Sequence, residues 1–219
     1  MKKIILSFVP ILLFAVTGFS QVLKSVKIDS LVTVSLPVSY TKKDTLGQQL
    51  FSANSNFGYI VVLRAPNAKN TAPLKREKDL NNVLKDNVNN IRGESSNASA
   101  QFVRDTTIGT LKAKTFTLQT DKGQGDVQLR DFIIIYTTAA TYTFDYTYPE
   151  SRKEVVKDEY NAFVHSIALS PKLQRNDQYL SNASGMSPVL QIGLFGGGGL
   201  LIIITIVLYL QKKRRLELE

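Results

Sequence analysis

Two apolar runs at the ends of this chain constrain it most, because together they set a topology before any fold is argued. The first, Ile4 to Phe19, follows Met1-Lys2-Lys3 and closes on Gly18-Phe19-Ser20, which puts small residues at the two positions a signal peptidase reads before Gln21. The second, Val189 to Leu210, is 22 residues long with Gln191 and Thr205 as its polar members. At about 1.5 Å per residue a helix of that length crosses the ~30 Å hydrocarbon layer. Lys212, Lys213, Arg214 and Arg215 follow it as a stop-transfer anchor that stays cytoplasmic. The expected organisation is a leader over 1–20, an exported domain over 21–171, a polar linker over 172–187, a transmembrane helix over 188–211 and a short basic tail over 212–219. The domain then sits on the periplasmic side or at the cell surface.

The segment between the apolar ends is about one ordinary domain. Residues 21–188 hold 21 Lys plus Arg against 16 Asp plus Glu, a mild positive excess. Such an excess suits anionic head groups or an acidic partner, and equally serves solubility. Nucleic acid does not fit this address, and no cluster interleaves bases with stacking aromatics. Cysteine is absent, which excludes disulfides, thiolate nucleophiles and zinc-cysteine sites. A single histidine, His165, makes a histidine-rich metal site or a Ser-His-Asp triad hard to build. No residue set calls for a cofactor.

Periodicity gives the elements. Val22 to Asp29 and Val32 to Leu36 alternate as half-buried strands, with Pro37 ending the second. Gln49–Ala53 and Phe57–Arg64 read as a hairpin across Asn54-Ser55-Asn56. From Pro73 to Ile91 the period lengthens, and Leu80, Val83, Leu84, Val88 and Ile91 form one helical stripe with Gly93 as its stop and Thr71 as a candidate cap. Strands follow over Ala100–Thr107, Leu111–Gln119 and Val127–Thr137. Next, Thr141 to Tyr148 places Tyr142, Phe144, Tyr146 and Tyr148 on one face, with Thr141, Thr143, Asp145 and Thr147 on the other. Pro149 opens a second helix with stripe Val155, Val156, Tyr160, Phe163, Val164 and Ile167. The pattern predicts an α+β domain: an antiparallel sheet of about six to seven strands layered with two amphipathic helices, plus the C-terminal transmembrane helix.

Three segments carry a resemblance. Val32-Thr33-Val34-Ser35-Leu36-Pro37 with Tyr40, the paired strands Phe132–Tyr136 and Tyr142–Tyr148, and Tyr160-Asn161-Ala162-Phe163-Val164-His165-Ser166-Ile167 resemble the PsbP-like family over about Val22 to Pro171. That family includes an extrinsic photosystem subunit, a Ran-binding import factor and bacterial envelope proteins. The resemblance implies the fold and brings no shared catalytic motif; the chain departs from the plant subunit in having an expected membrane helix.

Several residues carry possible chemistry. Asp121, Asp126, Asp131 and Asp145 are the acids that acid-base or metal work would need to converge, set against ordinary turn acids. Lys69, Lys75, Arg76 and Lys78 gather where a loop enters the first helix; cations at a helix amino end are unfavourable, so an anionic partner would relieve the conflict, set against a solvated loop. Thr141, Thr143, Asp145 and Thr147 line a groove if their face is open. Asp29-Ser30-Leu31, Asp44-Thr45-Leu46 and Asp105-Thr106-Thr107 fit an O-glycosylation pattern or turn pairs, and Asn97 and Asn182 head N-glycan triplets. Gly193 and Gly197 form a GxxxG pair suited to helix association, set against a flexible outer end or a cleaved sorting tail. The expectation is a non-enzymatic, membrane-anchored binding or assembly accessory with an envelope protein partner. Its rivals are a hydrolase using the acids of the last strands, and a surface protein released by tail cleavage.

Overall fold

The computed structural model describes residues 23–69, 71–95 and 97–181. The leader, the expected span, Gly193, Gly197, Asn182 and the Lys212–Arg215 cluster therefore lie outside the described residues. No described helix is long and apolar enough to cross a membrane.

Twelve strands and two α-helices build the described domain. β1 (Leu23–Lys27) and β2 (Val32–Pro37) form a first hairpin, and β3 (Thr41–Thr45), β4 (Gln48–Asn54) and β5 (Tyr59–Pro66) a meander. β6 (Leu74–Arg76) leads into α1 (Glu77–Gly93). β7 (Ala98–Ile108), β8 (Leu111–Asp121), β9 (Val127–Tyr136) and β10 (Ala140–Pro149) follow, then α2 (Lys153–His165), β11 (Ala168–Leu169) and β12 (Tyr179–Ser181). The central sheet has seven strands in the order β3-β4-β5-β10-β9-β8-β7, antiparallel throughout. The expected α+β class and antiparallel sheet are met.

Strand alternation sorts the core into two layers. Tyr142, Phe144, Tyr146 and Tyr148 all bury on one face with Phe51, Ile60, Val62 and Ile133. There the β1-β2-β11 sheet, with Val26, Val34 and Leu36, and α2, with Val156 and Phe163, close over them. On the other face Phe116, Leu118, Phe132 and Ile134 bury under Leu80, Leu84 and Val88 of α1. Phe116 and Phe132 stack with centroids 4.8 Å apart. α2 is pinned at its end by Ser166, whose hydroxyl donates to Phe163 O at 2.7 Å and accepts the amide of Ser35 in β2 at 3.0 Å.

Four expectations change. α1 begins at Glu77, not Pro73, because Leu74 and Arg76 instead pair in parallel with Tyr179 and Ser181 of β12. The stretch expected to be a linker from Lys172 packs on the domain as far as Ser181: Leu173, Gln178 and Tyr179 are buried. α2 is entered through a 3-10 turn, Glu150–Arg152, rather than directly at Pro149, which leaves Val155 of the expected stripe 55% exposed. Lastly, β3 has no apolar residue and no counterpart among the strands expected from the sequence; it is an exposed edge strand that, among the described residues, pairs only with β4.

Candidate functional site

The four acids considered for chemistry do not converge. Asp121 and Asp126 belong to the β8–β9 hairpin turn, where Asp121 Oδ1 accepts the Gly123 amide at 2.7 Å and the Asp126 amide donates to Gly123 O at 3.0 Å. β9 and β10 pair with Asp145 opposite Phe132 and Asp131 opposite Tyr146, so adjacent acids point to opposite faces of the sheet. Among the described residues no three or more His, Cys, Asp or Glu side chains group as a metal site.

The basic set sits on the surface: Lys69, Lys75, Arg76 and Lys78 are all exposed. The helix start they surround already carries Glu77 and Asp79 in its first turn. Asp79 Oδ2 accepts the Arg76 amide at 3.0 Å, and its Oδ1 lies 3.7 Å from the Arg76 guanidinium. Glu77 pairs with Lys112. The amino end of α1 thus has its compensating acids within the chain. His165 is exposed, with Nδ1 2.7 Å from Asn161 O.

The groove-forming face fares differently. α1 covers β8 and β9 but leaves β4, β5 and β10 open on its side, and a cleft of about 330 Å³ forms there. Leu50, Val61, Leu63 and Ala65 make an apolar wall; Asn87, Asn90 and Ile91 of α1 stand opposite. Thr141, Thr143 and Asp145 line it, while Thr147 reaches it only through a 3.1 Å hydrogen bond to Asp145 Oδ1. At its floor Arg130 Nε donates to Asp145 Oδ2 at 3.1 Å, with Nη2 donating to the same oxygen. The guanidinium carbon lies 4.8 Å from the Phe132 ring centroid. Asp145 is 3% exposed. Burial pushes its carboxyl above the ordinary value, against the opposing pull of Arg130 and Thr147. Arg130 was not singled out in the sequence; it lies opposite Thr147, two residues along β10 from Asp145, a cross-strand diagonal that becomes visible only once the β9–β10 register is known.

Two further polar centres escaped the sequence reading. Asp29 accepts from Leu31 and Val32 amides at 2.8 and 2.9 Å, which is the turn role, but also from Arg64 Nε at 2.7 Å and Tyr142 Oη at 2.6 Å. Burial acts to raise its carboxyl; the Tyr142 hydroxyl, the Leu31 and Val32 amides and Arg64 outweigh that and hold it below the ordinary range. Gln178, 1% exposed, accepts the Lys112 amide at 2.8 Å and donates to Lys112 O at 2.7 Å and Tyr136 O at 2.9 Å. It completes the backbone pairing of two strands and locks the segment after α2 to the sheet.

No family model matches the chain, and no curated protein matches it. It is similar to solved structures, of which three are described. The cyanobacterial PsbP protein (CyanoP) of a Synechocystis species has a TM-score of 0.49 at 14% identity, covering 71% of this chain and 96% of its own. LpqN, described as involved in cell envelope biogenesis of Mycobacterium tuberculosis, has a TM-score of 0.47 at 11% identity, covering 68% and 91%. A Pseudomonas aeruginosa protein of unknown function, described as a putative regulator, has a TM-score of 0.44 at 10% identity, covering 68% and 99%.

Proposed function

We propose that this chain is a membrane-tethered, extracytoplasmic binding domain that assists an envelope protein and does no chemistry itself. The observation that carries the reading is the cleft beside α1, whose apolar wall of β4 and β5 stands over an ion pair, Arg130–Asp145, that satisfies itself. Such a floor orients and excludes water but leaves neither partner poised to move a proton or attack a bond. The apolar wall of β4 and β5 would take side chains of the partner, and Asn87, Asn90, Thr141 and Thr143 would supply its hydrogen bonds. Tethering makes a modest interface sufficient, because an anchored domain meets membrane neighbours at raised effective concentration. The anchor is the apolar span followed by Lys212–Arg215, and Gly193 with Gly197 would let it pack on a partner helix or on a second copy.

The test is a native pull-down from gently solubilised membranes with three forms: the full-length chain, a form lacking 188–219, and full-length Thr143→Arg, which fills the cleft. The reading expects a stoichiometric partner with the full-length chain and its loss from both altered forms. Equal recovery by all three, or by none, contradicts it.

A further inference from the structure

A second cleft opens on the opposite face of the sheet, where β7, β8 and β9 meet the start of α2, with a volume of about 280 Å³. Asp131 forms its floor. Its Oδ2 accepts the Tyr148 hydroxyl at 2.8 Å and its Oδ1 accepts the Thr117 hydroxyl. Among the described residues both of these donors are neutral, and each carboxylate oxygen keeps a lone pair for a further donor. Tyr160 stands beside it; burial, then the Asp131 charge, pushes its hydroxyl up to about 12, so it remains a protonated donor at neutral pH. Arg104 and Lys153 also line the cleft and can donate, and Glu150 lines it as a second acceptor.

Phe102 stands at the mouth. Gln101 pairs with Thr117 and Arg104 with Thr115, so Phe102 and Val103 together face the single residue Phe116 in a β-bulge. Phe102 has φ of 53°, the left-handed position that such a bulge normally gives to glycine. It is also 70% exposed, so packing does not compensate the strain. A strained, solvent-facing aromatic beside a polar cleft points to ligand contact.

The chemistry narrows the ligand. It has to give donors to Asp131 and Glu150 and acceptors to Arg104 and Lys153 within one small space, and offer an apolar face to an aromatic ring. A simple alkylammonium satisfies Asp131, Glu150 and the rings but offers no acceptor to Arg104 and Lys153. A sugar ring meets every requirement, since each hydroxyl both donates and accepts and the C–H face lies flat on an aromatic. We propose that the Asp131–Phe102 cleft binds a neutral saccharide, at a site separate from the partner cleft beside α1.

Saturation-transfer difference NMR on the full-length chain in detergent micelles tests this, with maltotetraose, cellotetraose and chitotetraose as probes and butylamine as a cationic competitor. The expected result is saturable transfer to ring C–H protons of at least one sugar. Asp131→Asn weakens it about tenfold, the scale of a lost charge-assisted hydrogen bond. Phe102→Gly removes it while raising the melting temperature, because glycine accepts the bulge conformation, so loss of binding cannot be confused with loss of fold. Lys43→Ala, on the exposed β3 edge outside both clefts, leaves transfer unchanged. No transfer from any of the three sugars, transfer insensitive to both cleft variants, or displacement of the sugar by butylamine overturns the proposal.

Discussion

Single residues do the work that distant segments depend on. Asp29 lies 113 residues from Tyr142, yet its carboxylate holds that hydroxyl and Arg64 while capping its own turn. Its folded pKa is depressed, so its stabilisation is present above the unfolded value of about 3.9 and is lost as pH falls through the folded value. Asp29→Asn should therefore be less stable than the parent at neutral pH, and the gap should close as acid is added; parallel urea melts across the pH range check this. Gly58 is required for space: a Cβ there would sit 2.5 Å from Thr147 O and 2.7 Å from the Tyr146 ring. Backbone cannot yield cheaply, so Gly58→Ala should cost about 1–3 kcal/mol in equilibrium unfolding. Neither role could be read from the chain. Asp29-Ser30-Leu31 looked like a turn or modification site, and its second role exists only after β5 and β10 are paired.

At the scale of elements, what was legible is what periodicity encodes. The strict alternation of Tyr142, Phe144, Tyr146 and Tyr148 predicted a buried aromatic face, and all four bury. The stripe Leu80, Leu84, Val88 predicted the packed side of α1. What failed had no apolar signal: β3, Thr-Lys-Lys-Asp-Thr, is held by its pairing to β4, with the Thr41 hydroxyl bonded to Ser52 and Lys42 over the Phe51 ring, and β6 is short and depends on β12 for its partner. The polar stretch after Pro171 read as a linker because its anchor is polar. Gln178 works through hydrogen bonds to Lys112 and Tyr136 that composition cannot reveal. A chain ended after Pro171 should consequently be less stable than one ended after Ser181 by at least about 3 kcal/mol, from exposed Leu173 and Tyr179 and the unsatisfied backbone of β8 and β9. Denaturant unfolding of the two truncations measures it; equal midpoints would restore the linker reading.

For the whole molecule, the seven-stranded sheet is a wall with different business on each side. One face is filled by the small β1-β2-β11 sheet and α2, leaving the Asp131 cleft at the β7 end. The other is half covered by α1, leaving the Arg130–Asp145 cleft over β4, β5 and β10. The possibility of an open threonine face was legible in the alternation of β10; its floor was not, because Arg130 comes from the neighbouring strand. Convergence of the four acids failed for the same reason of register, which sends Asp131 and Asp145 to opposite sides. Whether the α1 cleft holds a membrane-adjacent partner, as proposed above, decides the function. The most direct measurement is photo-crosslinking in native membranes from a probe placed at position 143 within the cleft, compared with one at position 43 on the exposed β3 edge. If the cleft holds that partner, one adduct of defined mass forms from position 143, is absent from position 43 and is lost when residues 188–219 are removed. No adduct from position 143, or the same adducts from both positions, would contradict it.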